Sequence, residues 1–361
     1  MKAAVCYEFG KPLRVEEVDI DPPQMGEVKI RMFATAICHS DVHLIRGELR
    51  AVDLPIVPGH EAAGIVEEIG EGVTLAKPGD AVVVSLLRSC GRCLACVEGF
   101  SYLCEGTFAL NSQSRLRNKR GEALQHGFKT AAFAEYTVVD QSQLVPVPED
   151  ILLDRAALLA CGVITGVGAV VNTAQVRPGS NVVVIGTGGV GLNAVQGAVL
   201  VGAQRIIAMD ILETKLTAAR AFGATHTINA GQEDVQQVVL NLTGGRGADY
   251  VFVTVGSTAA VAQGLALIRL GGTLVIVGLP KQGATVPLPV SDLAANGKKI
   301  LGSCMGSTRL SSDVPWLVNL YRQGRLKLDE LITAHYPLDQ INEAIESMEK
   351  GEALRNVIVF A

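Results

Sequence analysis

The chain has 361 residues, 31 Lys and Arg against 36 Asp and Glu, a formal net charge of −5, 48% hydrophobic residues and 39 glycines. This length suggests about two domains, with apolar content enough for two cores. The mildly acidic balance points away from nucleic acid or an anionic membrane surface as partner. No apolar stretch is long enough to span a bilayer, and MKAAVCYEFG lacks the apolar run of a signal peptide, so the expected setting is the reducing cytoplasm.

The first part of the chain reads as short strands, MKAAVCYE, EVKIRMFATAIC, AAGIVEEIG and DAVVVSLL, broken by DPPQMGE and KPGD. That texture predicts an antiparallel, barrel-like β domain over residues 1–162. Inside it, Cys90, Cys93, Cys96 and Cys104 fit C-x2-C-x2-C-x7-C. Two-residue gaps let consecutive thiolates curl around one centre, and the longer gap returns the fourth, so four thiolates close a tetrahedral zinc site. Eight cysteines are too few for a disulfide scaffold of this length, and an iron–sulfur run would end in C-x3-C-P, whereas Glu105 follows Cys104. A second candidate set, Cys38, His60 and Cys161, offers two thiols and an imidazole with a fourth position open, the donor pattern of a catalytic zinc. Taken singly, such cysteines are usually small buried hydrophobes. The basic run Arg115–Arg120 reads as a solvated loop. His126, His226 and His335 read as surface or satisfied structural histidines, and Cys6 and Cys304 as buried thiols.

From Val163 the apolar runs VVVIG, IIAMD, THTIN, YVFVTV and TLVIVG alternate with helical stretches such as LNAVQGAVLVGA. This predicts βαβ units over residues 163–304, with a doubly wound parallel sheet covered on both faces. After Cys304, DVPWLVNLYRQGRL and LDQINEAIESMEKG look like amphipathic helices and RNVIVFA like a terminal strand. The tail, residues 305–361, is inferred to return to the first domain. VVVIGTGGVG supplies G-x-G-x-x-G as Gly186, Gly188 and Gly191, with Gly189 and Val190 between, after a strand and opening a helix. The first glycine permits the tight turn, the second the approach of a pyrophosphate, and the third helix–strand packing. The helix N-terminus then faces the phosphates. The next strand ends at Asp210, 19 residues past Gly191, where a carboxylate binds the ribose hydroxyls and repels a 2′-phosphate. The cofactor is therefore expected to be NAD rather than NADP. Lys215 is a further candidate for the adenosine ribose, its alternative a solvated helix lysine.

With these residues in hand, the chain resembles the zinc-dependent alcohol dehydrogenases of the medium-chain dehydrogenase/reductase superfamily. The resemblance runs from Met1 to Phe360. It rests on CHSD at Cys38–Asp41, GHEAAG from Gly59 to Gly64, the four-cysteine lobe, CGVITG at Cys161–Gly166, GTGGVG and LRNVIVF. It implies a GroES-like β domain plus a Rossmann domain, two zinc ions per chain, and reversible oxidation of a primary or secondary alcohol by hydride transfer from a zinc-bound alkoxide. Cys38, His60 and Cys161 become the catalytic zinc ligands, and Cys90, Cys93, Cys96 and Cys104 the structural ones. Glu61 sits behind the metal, Asp41 orients His60 through its other ring nitrogen, Ser40 contacts the substrate oxygen and His43 passes the proton to solvent. His39 and Arg355 contact the pyrophosphate, and Thr165, Val190 and the segment Val277–Leu279 line the nicotinamide. Leu49, Leu86 and Phe128 align with substrate-pocket positions, a plain core role being their alternative.

Three neighbouring readings compete. Polyol dehydrogenases typically place an acid where this chain has Cys161. Glutathione-dependent formaldehyde dehydrogenases use acids where it has Leu49 and Ala51, and usually Tyr where it has His43. A non-catalytic zinc and nucleotide binder would not need an open metal position beside Ser40 and His43. Glu105–Lys129 is longer than in the resembled family's shortest, often tetrameric members and closer to its dimeric members, so the resemblance implies a homodimer.

Overall fold

The computed structural model describes residues 1–49 and 52–360. The chain divides into two units: Met1–Cys161 together with the segment from Arg309 onward, and Gly162–Thr308.

The first unit is built on β-sheet. Its seven-stranded sheet is ordered Leu144–Pro146, Ala81–Ser85, Glu61–Ile69, Glu27–Ala36, Arg355–Val359 and Ile332–Pro337, with Tyr136–Asp140 also on Glu27–Ala36. A five-stranded sheet is ordered Lys2–Val5, Arg14–Ile20, Leu116–Asn118, Ala123–His126 and Ile56–Val57. Side chains alternate along Glu27–Phe33: Val28, Ile30 and Met32 point into the core while Arg31 and Phe33 are exposed. Two pairs depart from the antiparallel rule. Arg355–Val359 runs parallel to Ile332–Pro337 because the helix Ile341–Glu349 between them supplies the crossover a parallel pair needs, and Ile56–Val57 runs parallel to Ala123–His126.

The basic run Arg115–Arg120 is solvated at Arg117, Lys119 and Arg120 but not at Arg115. Leu116–Asn118 is a strand, and the Arg115 guanidinium is buried in a two-pronged ion pair with Glu27, Nε to Oε2 at 2.8 Å and Nη2 to Oε1 at 2.7 Å. Two charge-assisted hydrogen bonds offset the desolvation of such a planar fork, and the partner lies far away in the chain.

The second unit is a six-stranded parallel sheet ordered His226–Asn229, Arg205–Asp210, Asn181–Ile185, Ala248–Val253, Ile268–Ile276 and Lys299–Gly302. Asn181–Ile185 is buried at every residue, as a strand covered on both faces must be. The chain leaves this central strand to one side first and later fills the other, which opens a crevice beyond its C-terminal end. Cys304 is exposed rather than a buried thiol, because it sits in the turn after the edge strand. Among the described residues no helix is long and apolar enough to cross a membrane.

Candidate active site and metal centres

Helix His39–Ile45 begins where strand Glu27–Ala36 ends, with Cys38 as its N-cap. Its third residue, Asp41, is fully buried and acts as a hub. Oδ2 accepts from the Cys38 N–H at 3.1 Å, and Oδ1 accepts from the Gly59 N–H at 3.0 Å and from His60 Nδ1 at 2.9 Å. One carboxylate therefore fixes two segments and the His60 tautomer, turning Nε2 toward the other donors. Cys161 follows the helix Leu153–Leu158. The ligand atoms of Cys38, His60 and Cys161 converge within 4.8 Å of one another, all three residues buried. Burial opposes charge on His60, yet Asp41 and Cys38 outweigh it and push the ring up to about 10. Cys161, and then His60, hold the Cys38 thiol well below its ordinary value despite burial. A donor set that favours thiolates, oriented by a carboxylate–histidine pair, fits a divalent zinc ion.

Cys90, Cys93, Cys96 and Cys104 also converge within 4.8 Å, wrapped by the short helix Leu94–Val97 and the turn Ser101–Leu103. Cys93 Sγ lies 3.9 Å from Cys104 Sγ. A disulfide needs about 2.05 Å, whereas thiolates at tetrahedral corners about 2.3 Å from zinc stand roughly 3.8 Å apart. The backbone N–H of Cys90 and Gly106 point at the Cys104 sulfur at 3.2 and 3.3 Å, which suits a thiolate.

Around the three-donor site, Ser40 and His43 share one helix face, three residues apart. His43 Nδ1 bonds Glu48 Oε2 at 2.6 Å, which assigns its tautomer; Glu48 was not a sequence candidate, since nothing local marks a turn glutamate as a histidine partner. His39 is exposed at the helix start. Glu61 and Arg355 are both buried and form an ion pair, so the guanidinium expected on a pyrophosphate lies against the acid expected behind the metal. The Phe128 ring packs against His60 with centroids 4.6 Å apart, Leu86 is half-buried, and Leu49 joins the core cluster of helix His39–Ile45. Ala51 lies outside the described residues. His126 is not a satisfied histidine: among the described residues neither ring nitrogen has a partner, and burial, then Arg88 and Arg115, lower it to about 3. His226 bonds Thr225, and His335 bonds Asp154.

In the second unit, Gly186 stands at φ +88°, and a Cβ on Gly191 would lie 1.9 Å from the Gly186 carbonyl, so packing demands both glycines. Gly188 differs: a Cβ there meets no protein atom within 4 Å. It caps the helix Gly189–Leu200 and leaves a cradle open to an anion at the helix start. Asp210 Oδ2 accepts from the Thr187 N–H and hydroxyl at 2.8 and 2.9 Å, and Oδ1 from the Ile211 N–H at 2.8 Å. Lys215 is buried rather than solvated; burial lowers its amine below the ordinary value and Asp210 partly restores it. Thr165 lies beside Met305, its hydroxyl 3.7 Å from the sulfur, on a helix that Gly166 lets approach Val190. Val277 is buried, whereas Leu279 is exposed. The open cradle and the ringed carboxylate fit a dinucleotide.

The sequence matches the family described as alcohol dehydrogenase GroES-like domain over residues 24–149 and that described as zinc-binding dehydrogenase over residues 189–323. An alcohol dehydrogenase class-3 of Pisum sativum is 40% identical over 368 residues, covering 99% of this chain and 97% of the relative. Among solved structures, benzyl alcohol dehydrogenase from Acinetobacter calcoaceticus is 35% identical with a TM-score of 0.93, covering 100% of this chain and 99% of that one. An alcohol dehydrogenase zinc-binding domain protein from Burkholderia ambifaria is 36% identical with a TM-score of 0.95, covering 100% and 98%.

Proposed function

Because the chain belongs to the zinc-dependent alcohol dehydrogenases of the medium-chain dehydrogenase/reductase superfamily, which use zinc and NAD, we propose that it oxidises a primary or secondary alcohol reversibly to an aldehyde or ketone. In this reading Cys38, His60 and Cys161 hold the catalytic zinc, and Cys90, Cys93, Cys96 and Cys104 the structural one. The observation that carries it is the convergence of three buried donors, with Asp41 fixing the tautomer of His60, beside a helix that bears Ser40 and His43. When bound, zinc supplies the Lewis acidity that brings a hydroxyl proton within reach at neutral pH, and NAD⁺ accepts the hydride.

The protein's own residues orient the substrate and move the proton. Ser40 accepts it at Oγ and His43 carries it onward at Nε2, its Nδ1–H committed to Glu48. Histidine as a residue type titrates near neutrality and suits such a shuttle. His43→Gln keeps polarity but cannot titrate. The expected result is a loss of oxidation rate of about 10²-fold or less, the low end for general acid–base assistance, greatest near neutral pH and partly restored by a small external base. Zinc content stays unchanged. An unaltered pH profile without rescue would remove His43 from the proton path.

Asp210 is assigned to the adenosine ribose, with Lys215 beside it. Its oxygens are already ringed by the Thr187 and Ile211 donors, so the carboxylate is held in place. NAD⁺ is expected to be preferred over NADP⁺ by at least about 10-fold in kcat/KM, and Asp210→Gly to narrow that gap. A preference of the unaltered protein for NADP⁺ would overturn the assignment.

The substrate is proposed to be an apolar alcohol. Phe128 and Leu86 lie in the unit that holds the three donors, and Leu49 stands where a thiol-adduct enzyme carries an acid. The class-3 relative favours the alternative, a thiol-adduct substrate. Measuring kcat/KM for primary, secondary and aromatic alcohols and for the formaldehyde–glutathione adduct decides: a higher value for the adduct would replace the first reading with the second. We further propose a homodimer in the cytoplasm; that none of the eight cysteines is in a disulfide suits a reducing compartment.

A further inference from the structure

We propose that Arg88 is a positioning residue for the catalytic metal ligands, binding the segments that carry His60 and Cys161 to the base of the four-cysteine lobe. The proposal rests on the two-zinc reading above. Arg88 is 4% exposed and stands two residues before Cys90. Its guanidinium donates three hydrogen bonds: Nε to Gln143 Oε1 at 2.6 Å, Nη1 to Asn111 Oδ1 at 2.8 Å and Nη2 to the Lys129 carbonyl at 2.9 Å. Among the described residues none of these partners is a carboxylate. A buried cation without a charged partner is costly, and a leucine would fill the space at less cost. What leucine lacks is a rigid planar fork that fixes three acceptors at once.

Each acceptor leads to a metal-facing segment. The Lys129 carbonyl, which also accepts from Gln143 Nε2 at 3.3 Å, lies in a turn where Phe128, Lys129 and Ala131 adopt φ of +49°, +63° and +55°. Non-glycine residues hold such values only when their surroundings impose them. The turn presents the Phe128 ring to His60. Gln143, its carbonyl held by Arg88, donates from Nε2 to the Ser85 carbonyl at 2.7 Å. The Ser85 hydroxyl in turn donates 2.7 Å to the carbonyl of Ala160, the residue before Cys161. Ser85 also faces Glu61, the residue after His60, across the strand pair. On the lobe side, the Ser89 N–H is held by Ser142 Oγ at 3.0 Å, and Asn111 lies shortly beyond Cys104. Side chains that orient metal ligands change metal affinity when removed, and a link between two sites acts in both directions.

The test measures zinc affinity at each site of the zinc-loaded protein by competition with a chelating dye, the catalytic ion being assigned as the one lost in Cys161→Ser. Arg88→Met is expected to weaken the catalytic-site ion by about 10-fold or more, with unchanged far-ultraviolet circular dichroism. Arg88→Lys keeps the charge but not the fork and is expected to fail to rescue. Ser85→Ala, which removes the bond to Ala160 and the longer 3.4 Å bond that Ser85 Oγ accepts from the Leu87 N–H, is expected to weaken the same ion by a smaller factor and serves if Arg88→Met does not fold. A merely structural Arg88 would lower the thermal midpoint and leave the affinity of the catalytic ion as it was. Native affinity in folded Arg88→Met, or in both Arg88→Lys and Ser85→Ala, overturns the proposal. Fewer than two zinc ions in the unaltered protein would instead overturn the metal-site reading beneath it.

Discussion

Cys161→Ser is expected to abolish turnover while the protein keeps its fold and one of its two zinc ions. Cys161 is buried, lies just past the helix Leu153–Leu158, and shares its site with two donors whose geometry Asp41 fixes independently. Serine fits the space, but its hydroxyl does not ionise as a thiol does, so the ion loses an anionic ligand. Lewis-acid assistance is worth several kcal/mol, so kcat/KM should fall by at least about 10³-fold. Cys90→Ser addresses the other centre. The lobe from Cys90 to Cys104 has only one short helix and one turn of its own and no fully buried side chain, so its metal stands in for a core. That variant is expected to harm solubility and thermal midpoint first. Elemental analysis with circular dichroism separates the two cases. Native turnover in Cys161→Ser, or full activity in protein stripped of metal, would sink the assignment.

Gly188→Val is expected to weaken NAD⁺ binding by about 10²-fold, about 2.7 kcal/mol, with no change in thermal midpoint or zinc content. The reason lies in the contrast with its neighbours. Gly191 and Gly186 are demanded by the protein itself, through contact with backbone and a left-handed φ. Gly188 has φ −72° and ψ −169°, which any residue adopts, and open space where its side chain would be. Only a ligand requires glycine there: branched methyl groups would occupy the place of the pyrophosphate at the helix start. Titration calorimetry of the zinc-loaded variant gives the result directly. Unchanged affinity would place the cofactor phosphates elsewhere.

Much of this molecule was legible because its signals are local. The lobe cysteines, the turn from Gly186 to Gly191 and Asp210 at the next strand end are spacings that backbone geometry turns into candidate sites with little help from the rest of the chain. The period-two pattern of EVKIRMF at Glu27–Phe33 and the unbroken apolar run Val182–Ile185 likewise separate the two sheet types before any folding is seen.

What only the tertiary structure decided concerns charged and polar groups whose partners are remote. Arg115 on Glu27, Arg355 on Glu61, Glu48 on His43 and the unpartnered nitrogens of His126 carry no mark in sequence. A basic run looks the same whether water or a buried carboxylate compensates it, and Arg88 before the lobe looks like any solvated arginine. The physical reason is range. Hydrophobic periodicity is imposed residue by residue along an element. Burial of a charge is decided by the one geometry in which distant donors and acceptors meet, and that geometry exists only once the sheets have closed.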